Sequence, residues 1–220
     1  MTKEQILATV DHTLLRADAT WQDVRRLCDE AMQAHTASVC INPCFVKEAS
    51  VYMEFQKDKV AVCTVVGFPL GANTTQVKVA ETRQAIEDGA DEVDMVINIG
   101  WVKAGRWQDL QSEIAALKAA AGNKVLKVII ETCLLTDAEK RKMCDIVCAA
   151  GADYIKTSTG FSKAGATFAD IQLFHECVAG RCKIKAAGGI SSIADMEQFL
   201  ALGADRLGTS RAIGLFAVKE

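Results

Sequence analysis

The chain has 220 residues, half of them hydrophobic and 24% charged, a balance that fits one large or two small globular domains. Lys and Arg number 25 against 28 Asp and Glu, so the formal charge is −3, and no basic arm or cluster marks a nucleic-acid partner. The longest apolar run, Val60 to Ala72, is too short and too broken by Gly and Pro to span a bilayer, and the first residues lack the apolar stretch of a signal peptide.

Nine Cys without a secretory signal point to free thiols in a reducing cytoplasm. The closest pairs, Cys40/Cys44 and Cys144/Cys148, have no His beside them. Only His12, His35 and His175 occur, so no zinc site is expected. Most of the thiols read as small buried hydrophobes.

In chain order, a short helix over 2–9 precedes a strand over 10–15 and a helix over 19–35. A strand at 37–41 leads to Asn42-Pro43, where a proline at an early helical position loses no needed hydrogen bond. A strand over 59–66 ends in the glycine-marked turn 67–71, and a helix over 74–88 presents Val77, Ala80 and Ile86 inward. Strands are expected at 91–98, 124–132, 152–157, 182–187 and 205–210. They alternate with helices at 106–121, 136–150, 167–179, 191–202 and 211–218. Thr136 with Glu139 three residues on is a capping box.

Gly-Ala-Asp recurs at 89–91, 151–153 and 203–205, each time between a helix and a strand. Glycine is the usual residue just past a helix end. The separations of 62 and 52 residues each skip one strand, so the unit is about 26 to 31 residues and eight units fill the chain. Strict βα alternation with apolar strands implies a parallel sheet. Eight units imply a single-domain (β/α)8 barrel, of the TIM type, over residues 1–220. An open doubly wound sheet lacks support, because no G-x-G-x-x-G follows the first strand.

Barrel active sites lie at the C-terminal ends of the strands. The polar residues offered there are Asp11, Thr13, Asp94, Asn98, Lys127, Glu131, Lys156, Ser158, Lys183 and Lys185. Tyr154, Lys156 and Ser158 share one face of their strand. A lysine in a short buried strand is either paired or used. A second ammonium nearby would favour its neutral amine. Asp94 could move protons, orient a water, or simply pair with a lysine such as Lys127. Gly188-Gly189 before the helix at 191 and Gly208 to Arg211 before the last helix suit an anion, and Gly160-Phe161-Ser162 adds a third edge.

The stretches DEVDMVIN (91–98), LKVIIET (126–132), YIKTSTGF (154–161), IKAAGGI (184–190) and DRLGTSR (205–211) resemble the deoxyribose-phosphate aldolases in their shorter bacterial form. The resemblance runs from residue 11 to 214, and KTSTGF is its most specific segment. It implies that Lys156 forms a Schiff base, that Lys185 assists it and that Asp94 handles protons. It further implies that Gly160, Gly188, Gly189 and Ser210 hold phosphate. Two positions depart from the pattern: Ser191, where many relatives carry Arg, and Cys44, where an aromatic is common.

The implied reaction joins acetaldehyde to glyceraldehyde 3-phosphate, giving 2-deoxyribose 5-phosphate, or runs in reverse. It needs no metal or organic cofactor. The resemblance also implies a homodimer or homotetramer and a role in deoxyribonucleotide breakdown in the cytoplasm. The rivals are another phosphate-binding barrel lyase or isomerase, and a non-catalytic phosphosugar-binding barrel.

Overall fold

Strands and helices alternate along residues 1–217, the part of the chain that a computed structural model describes. A short α1 (Lys3–Leu7) is followed by β1 (Val10–Leu14), α2 (Trp21–Ala34), β2 (Ser38–Ile41) and α3 (Val46–Glu54). Then come β3 (Ala61–Val66), α4 (Thr75–Glu87), β4 (Glu92–Val96) and two helices, α5 (Ile99–Lys103) and α6 (Trp107–Ala121). The remainder is β5 (Val125–Ile129), α7 (Asp137–Ala149), β6 (Tyr154–Lys156), α8 (Phe168–Val178), β7 (Lys183–Ala187), α9 (Ile193–Ala201), β8 (Arg206–Thr209) and α10 (Ala212–Ala217). Each strand pairs in parallel with the next in sequence, and β8 closes on β1. The expected (β/α)8 barrel is therefore the fold. No helix among the described residues is long and apolar enough to cross a membrane.

Local chemistry sets the starts of these helices. Thr2, Thr20, Thr136 and Ser192 each accept from the backbone N–H three residues on, and the side chain at that position bonds back to the cap. These reciprocal pairs satisfy donors that an open helix end leaves free. Thr136–Glu139 is the box read from the sequence.

The Gly-Ala-Asp repeats stand before β4, β6 and β8, and their geometry explains the spacing. Each glycine takes a positive φ, and at Gly203 a Cβ would lie 2.4 Å from His175 Nδ1. Each aspartate then bonds the strand before its own. Asp91, Asp153 and Asp205 accept from the N–H of Val62, Leu126 and Ile184, and donate their own N–H to the carbonyls of those residues. The repeat thus joins β4 to β3, β6 to β5 and β8 to β7 at the N-terminal end of the barrel.

Two apolar layers result. The larger fills the space between sheet and helices, with Val39, Val93, Leu126, Val128 and Ile155 on the outer face of the strands. The smaller, Leu15, Cys40, Cys63 and Val65 with Phe68 against it, lies near the mouth of the barrel.

The structure departs from the sequence reading in several places. The strands are shorter than expected, because the chain turns away once the ladder ends. Asn98, read as part of a strand, instead caps α5 by accepting from the N–H of Trp101, and the helix after Asn42-Pro43 begins with a 3-10 turn. On α4, Val77 and Ala80 are exposed and Ile86 is half-buried, while Lys78, Thr82 and Ala85 face inward. Lys78 is buried because its Nζ lies 2.7 Å from Glu113 Oε1 and 2.9 Å from the Val96 carbonyl. The last helix covers Ala212–Ala217, and residue 218 lies outside the described residues.

Candidate active site

Barrel interiors of this class are filled mainly by branched aliphatic side chains. Here the interior is ionic. Asp11 from β1, Glu92 and Asp94 from β4, Lys127 from β5, Lys156 from β6, Lys185 from β7 and Arg206 from β8 converge in it.

Asp94 is the centre of this network. Its Oδ2 accepts from both Lys156 Nζ and Lys185 Nζ, each at 2.7 Å. Its Oδ1 accepts from Lys127 Nζ at 2.8 Å and from the Cys63 thiol at 3.2 Å. Lys185 also bonds Asp11 Oδ2, and Arg206 bridges Asp11 and Glu92. Burial alone would push the Asp94 carboxyl up, but Lys127, Lys156 and Lys185 outweigh it and hold Asp94 well below the usual range. Burial pulls the Lys185 ammonium down, yet Asp11 and Asp94 hold it above its ordinary value. Burial drives the Cys63 thiol well up, so it stays protonated and donates.

A charge count separates one lysine from the rest. Four cations (Lys127, Lys156, Lys185 and Arg206) face three carboxylates. A neutral Lys156 amine brings the set to zero. Lys127, Lys185 and Arg206 each bond two or more carboxylates, whereas Lys156 has Asp94 alone and shares that oxygen.

Lys156 also lines a cavity of about 410 Å3 at the C-terminal mouth of the barrel, together with Gly160, Gly188, Gly189 and Ser210. Asp94 and Lys185 are fully buried and are not part of this wall. The wall carries three cations, Lys156, Arg16 and Arg211, and no Asp or Glu. Among the described residues, nothing accepts from the backbone N–H of Gly188, Gly189 or Ser210. Gly188 and Gly189 both adopt positive φ, and a Cβ on Gly165 would lie 2.2 Å from the Gly188 carbonyl. Gly165 can approach Gly188 this closely only because it has no Cβ, and the Gly188-Gly189 turn beside it keeps free donors that suit an anion.

Comparison with known proteins bears on this arrangement. The model of the DeoC/LacD family aldolases matches residues 5–217. The chain belongs to that family. It is 53% identical over 220 residues to a deoxyribose-phosphate aldolase of Clostridium botulinum, strain Alaska E43, covering all of this chain and 98% of that one. It is 56% identical over 207 residues to the corresponding protein of Clostridioides difficile, covering 94% and 93%. Among solved structures, a putative deoxyribose-phosphate aldolase from Coccidioides immitis aligns with TM-score 0.95 at 36% identity, over all of this chain and 87% of that one. A tetrameric deoxyribose phosphate aldolase from Aeropyrum pernix aligns with TM-score 0.90 at 30% identity, over 99% and 92%.

In this DeoC/LacD aldolase the sequence candidates fall into separate groups. Lys156, Asp94 and Lys185 meet, with Asp11 and Lys127 around them. Gly160, Gly188, Gly189, Ser210 and Thr13 line the cavity, but Ser162 does not. Lys183 does not reach the site. It opens β7 at the far end of the barrel, exposed, with Nζ 5.6 Å from the Tyr154 ring centre. Asn98 caps α5, as noted. Glu131 supports rather than lines the site: from a left-handed backbone (φ 53°) its carboxylate accepts from the N–H and hydroxyl of Thr159, fixing the turn just after Lys156. Ser158 is buried with its hydroxyl unpartnered.

The sequence reading missed Glu92, Arg206 and Cys63. A signal was present for the first, since Glu92 and Asp94 are two apart and so share a strand face. Two buried groups, Cys40/Cys63/Asp94 and Asp11/Cys63/Glu92, bring three metal-binding atoms together. Their carboxylates are already bonded by lysine ammoniums and Arg206, which opposes a dication there.

Proposed function

We propose that this aldolase reversibly cleaves 2-deoxy-D-ribose 5-phosphate to acetaldehyde and D-glyceraldehyde 3-phosphate through a Schiff base on Lys156. The reading rests on one observation. A single lysine is both the least-paired member of a buried ionic cluster and part of a cavity wall that carries only positive charge. The family relatives supply the substrate.

In the cleavage direction the neutral Lys156 amine attacks C1 of the open-chain sugar. Loss of water leaves an iminium, which draws electrons from the C2–C3 bond. The 3-hydroxyl gives up its proton, C2–C3 breaks, and glyceraldehyde 3-phosphate leaves. The remaining enamine takes a proton at C2, and water releases acetaldehyde from the iminium. Asp94 Oδ2 is the acceptor nearest to Lys156, and it is a weak base beside the ammoniums of Lys127 and Lys185. It therefore passes a proton on, through Lys185 or a water, rather than storing it. As the iminium forms and is lost, charge on Lys156 rises and falls against a carboxylate fixed in place, which avoids reorganisation at the reacting centre.

The phosphate is assigned to the free N–H groups of Gly188, Gly189 and Ser210, with Gly160 at the edge. Two coarser readings accompany this one. Homo-oligomeric assembly is supported by the tetramer named for the Aeropyrum pernix protein and by exposed Val51 and Phe55 at α3. A cytoplasmic setting is supported by nine free thiols.

A coupled assay of glyceraldehyde 3-phosphate release tests the proposal. Wild type is expected to turn over, and Lys156→Met to lose at least about 1000-fold while keeping its circular dichroism and melting transition. Substantial turnover in a folded Lys156→Met protein would overturn it.

A further inference from the structure

The cavity wall holds three cations, and among the described residues one of them has no carboxylate partner. Lys156 is bound to Asp94, at 2.7 Å. Arg16 is bound to two carboxylates, Asp18 at 2.8 Å and Asp23 at 2.6 Å. Arg211 has no carboxylate partner among the described residues, and no Asp or Glu shares the cavity wall with it.

The helix that follows the Gly188-Gly189 turn, α9, offers an anion little. At the N-terminus of α9 the N–H groups of Ser191 and Ser192, and the Ser191 hydroxyl, all donate to Asp195. The hydrogen bond from the Ser191 N–H outweighs burial and holds the Asp195 carboxyl below its ordinary value. That end already carries a negative charge of its own.

Arg211 is also held in place. Its backbone N–H donates to Thr209 Oγ1 at 3.1 Å, and the same hydroxyl donates to the Ile190 carbonyl at 3.4 Å. One side chain thus ties the backbone of Arg211 to that of Ile190, the residue after Gly188-Gly189, and all of them line the cavity.

We propose that Arg211 reads the charge of the substrate: its guanidinium takes the phosphate dianion and sets the preference for phosphorylated over neutral sugars. The glycine loops hold phosphate oxygens by neutral N–H groups, and Arg211 supplies the net charge that they lack. A planar guanidinium can engage two phosphate oxygens at once, which a neutral donor cannot. This rests on the aldolase reading above and adds to it a residue that decides specificity.

The test compares 2-deoxyribose 5-phosphate with unphosphorylated 2-deoxyribose in wild type, Arg211→Met and Arg211→Lys. Arg211→Met is expected to raise KM for the phosphorylated sugar by about 10- to 100-fold, with kcat little changed. Its kcat/KM for 2-deoxyribose is expected to stay within about twofold of wild type. Inhibition by inorganic phosphate should weaken in parallel, and Arg211→Lys should recover part of both effects. Equal losses on both sugars would mean that Arg211 is structural, and an unchanged KM for the phosphorylated sugar would mean that the phosphate does not meet it. Either result overturns the inference while leaving the aldolase reading intact. A wild-type protein that cleaves neither sugar overturns both.

Discussion

Replacing Lys185 by Met should move the pH dependence of the reaction, in a protein that is less stable but still folded. The two ammonium nitrogens of Lys156 and Lys185 lie 2.7 Å from the same oxygen, so they are no more than twice that distance apart. At that separation, with an effective dielectric near 20, their repulsion is about 3 kcal/mol. An ammonium beside the reacting nitrogen favours the neutral amine, so removing it favours the protonated form. The charge count agrees in sign: without Lys185, three cations face three carboxylates, and Lys156 is needed as an ammonium to balance them. The acid limb of the kcat/KM profile is therefore expected to move toward alkaline pH, with a loss of about 100-fold at pH 7 that recovers in part toward pH 9. Lys185→Arg keeps the charge and should hold the limb near its wild-type position. The assay is kcat/KM for 2-deoxyribose 5-phosphate cleavage across pH 5 to 10, with melting curves beside it. A uniform loss with an unmoved limb, or a shift toward acid, would refute the repulsion argument.

Other parts of the charge network give further expectations. Asp11→Asn leaves Lys185, Lys127 and Arg206 short of a carboxylate in the interior, and should cost about 3 to 5 kcal/mol in urea unfolding near pH 7. Burial pushes the Asp11 carboxyl up, but Lys185, Lys127 and Arg206 hold it well below its usual value. Its contribution is therefore fully present above the unfolded value near 4 and is lost as the pH falls below it, so the gap to wild type should close on acidification. A gap that stays constant would contradict this. Lys78→Met and Glu113→Leu should each cost about 3 to 5 kcal/mol by stranding a buried charge, while the double variant should cost less than either. Additive costs in that cycle would mean the pair is not coupled.

What the sequence revealed and what it hid follow from the same chemistry. The Gly-Ala-Asp repeat and the Thr136–Glu139 box are local, so the barrel and the position of β6 could be read directly. Period-two alternation separated Lys156 from Ile155 and placed one in the site and the other in the outer core. The face of α4 was misread because hydrophobic periodicity assumes that charge stays outside. Lys78 breaks that assumption by meeting Glu113, which is 35 residues away. Lys183 and Lys185 look alike in the sequence, yet one opens the strand and the other closes on Asp94. Arg206 and Asp11 lie at opposite ends of the chain and meet only because β8 closes on β1. Asn98 was drawn into a strand because α5 has only five residues and follows β4 almost without a turn.

The central claim is that Lys156 is the nucleophile, and borohydride trapping tests it most directly. The protein is incubated with acetaldehyde and sodium borohydride, its intact mass is measured and the modified peptide is mapped. One ethyl group on Lys156, dependent on acetaldehyde and absent from Lys156→Met, is the predicted result. Selective labelling of Lys185, or no selective adduct in protein that binds the phosphorylated sugar, would contradict it.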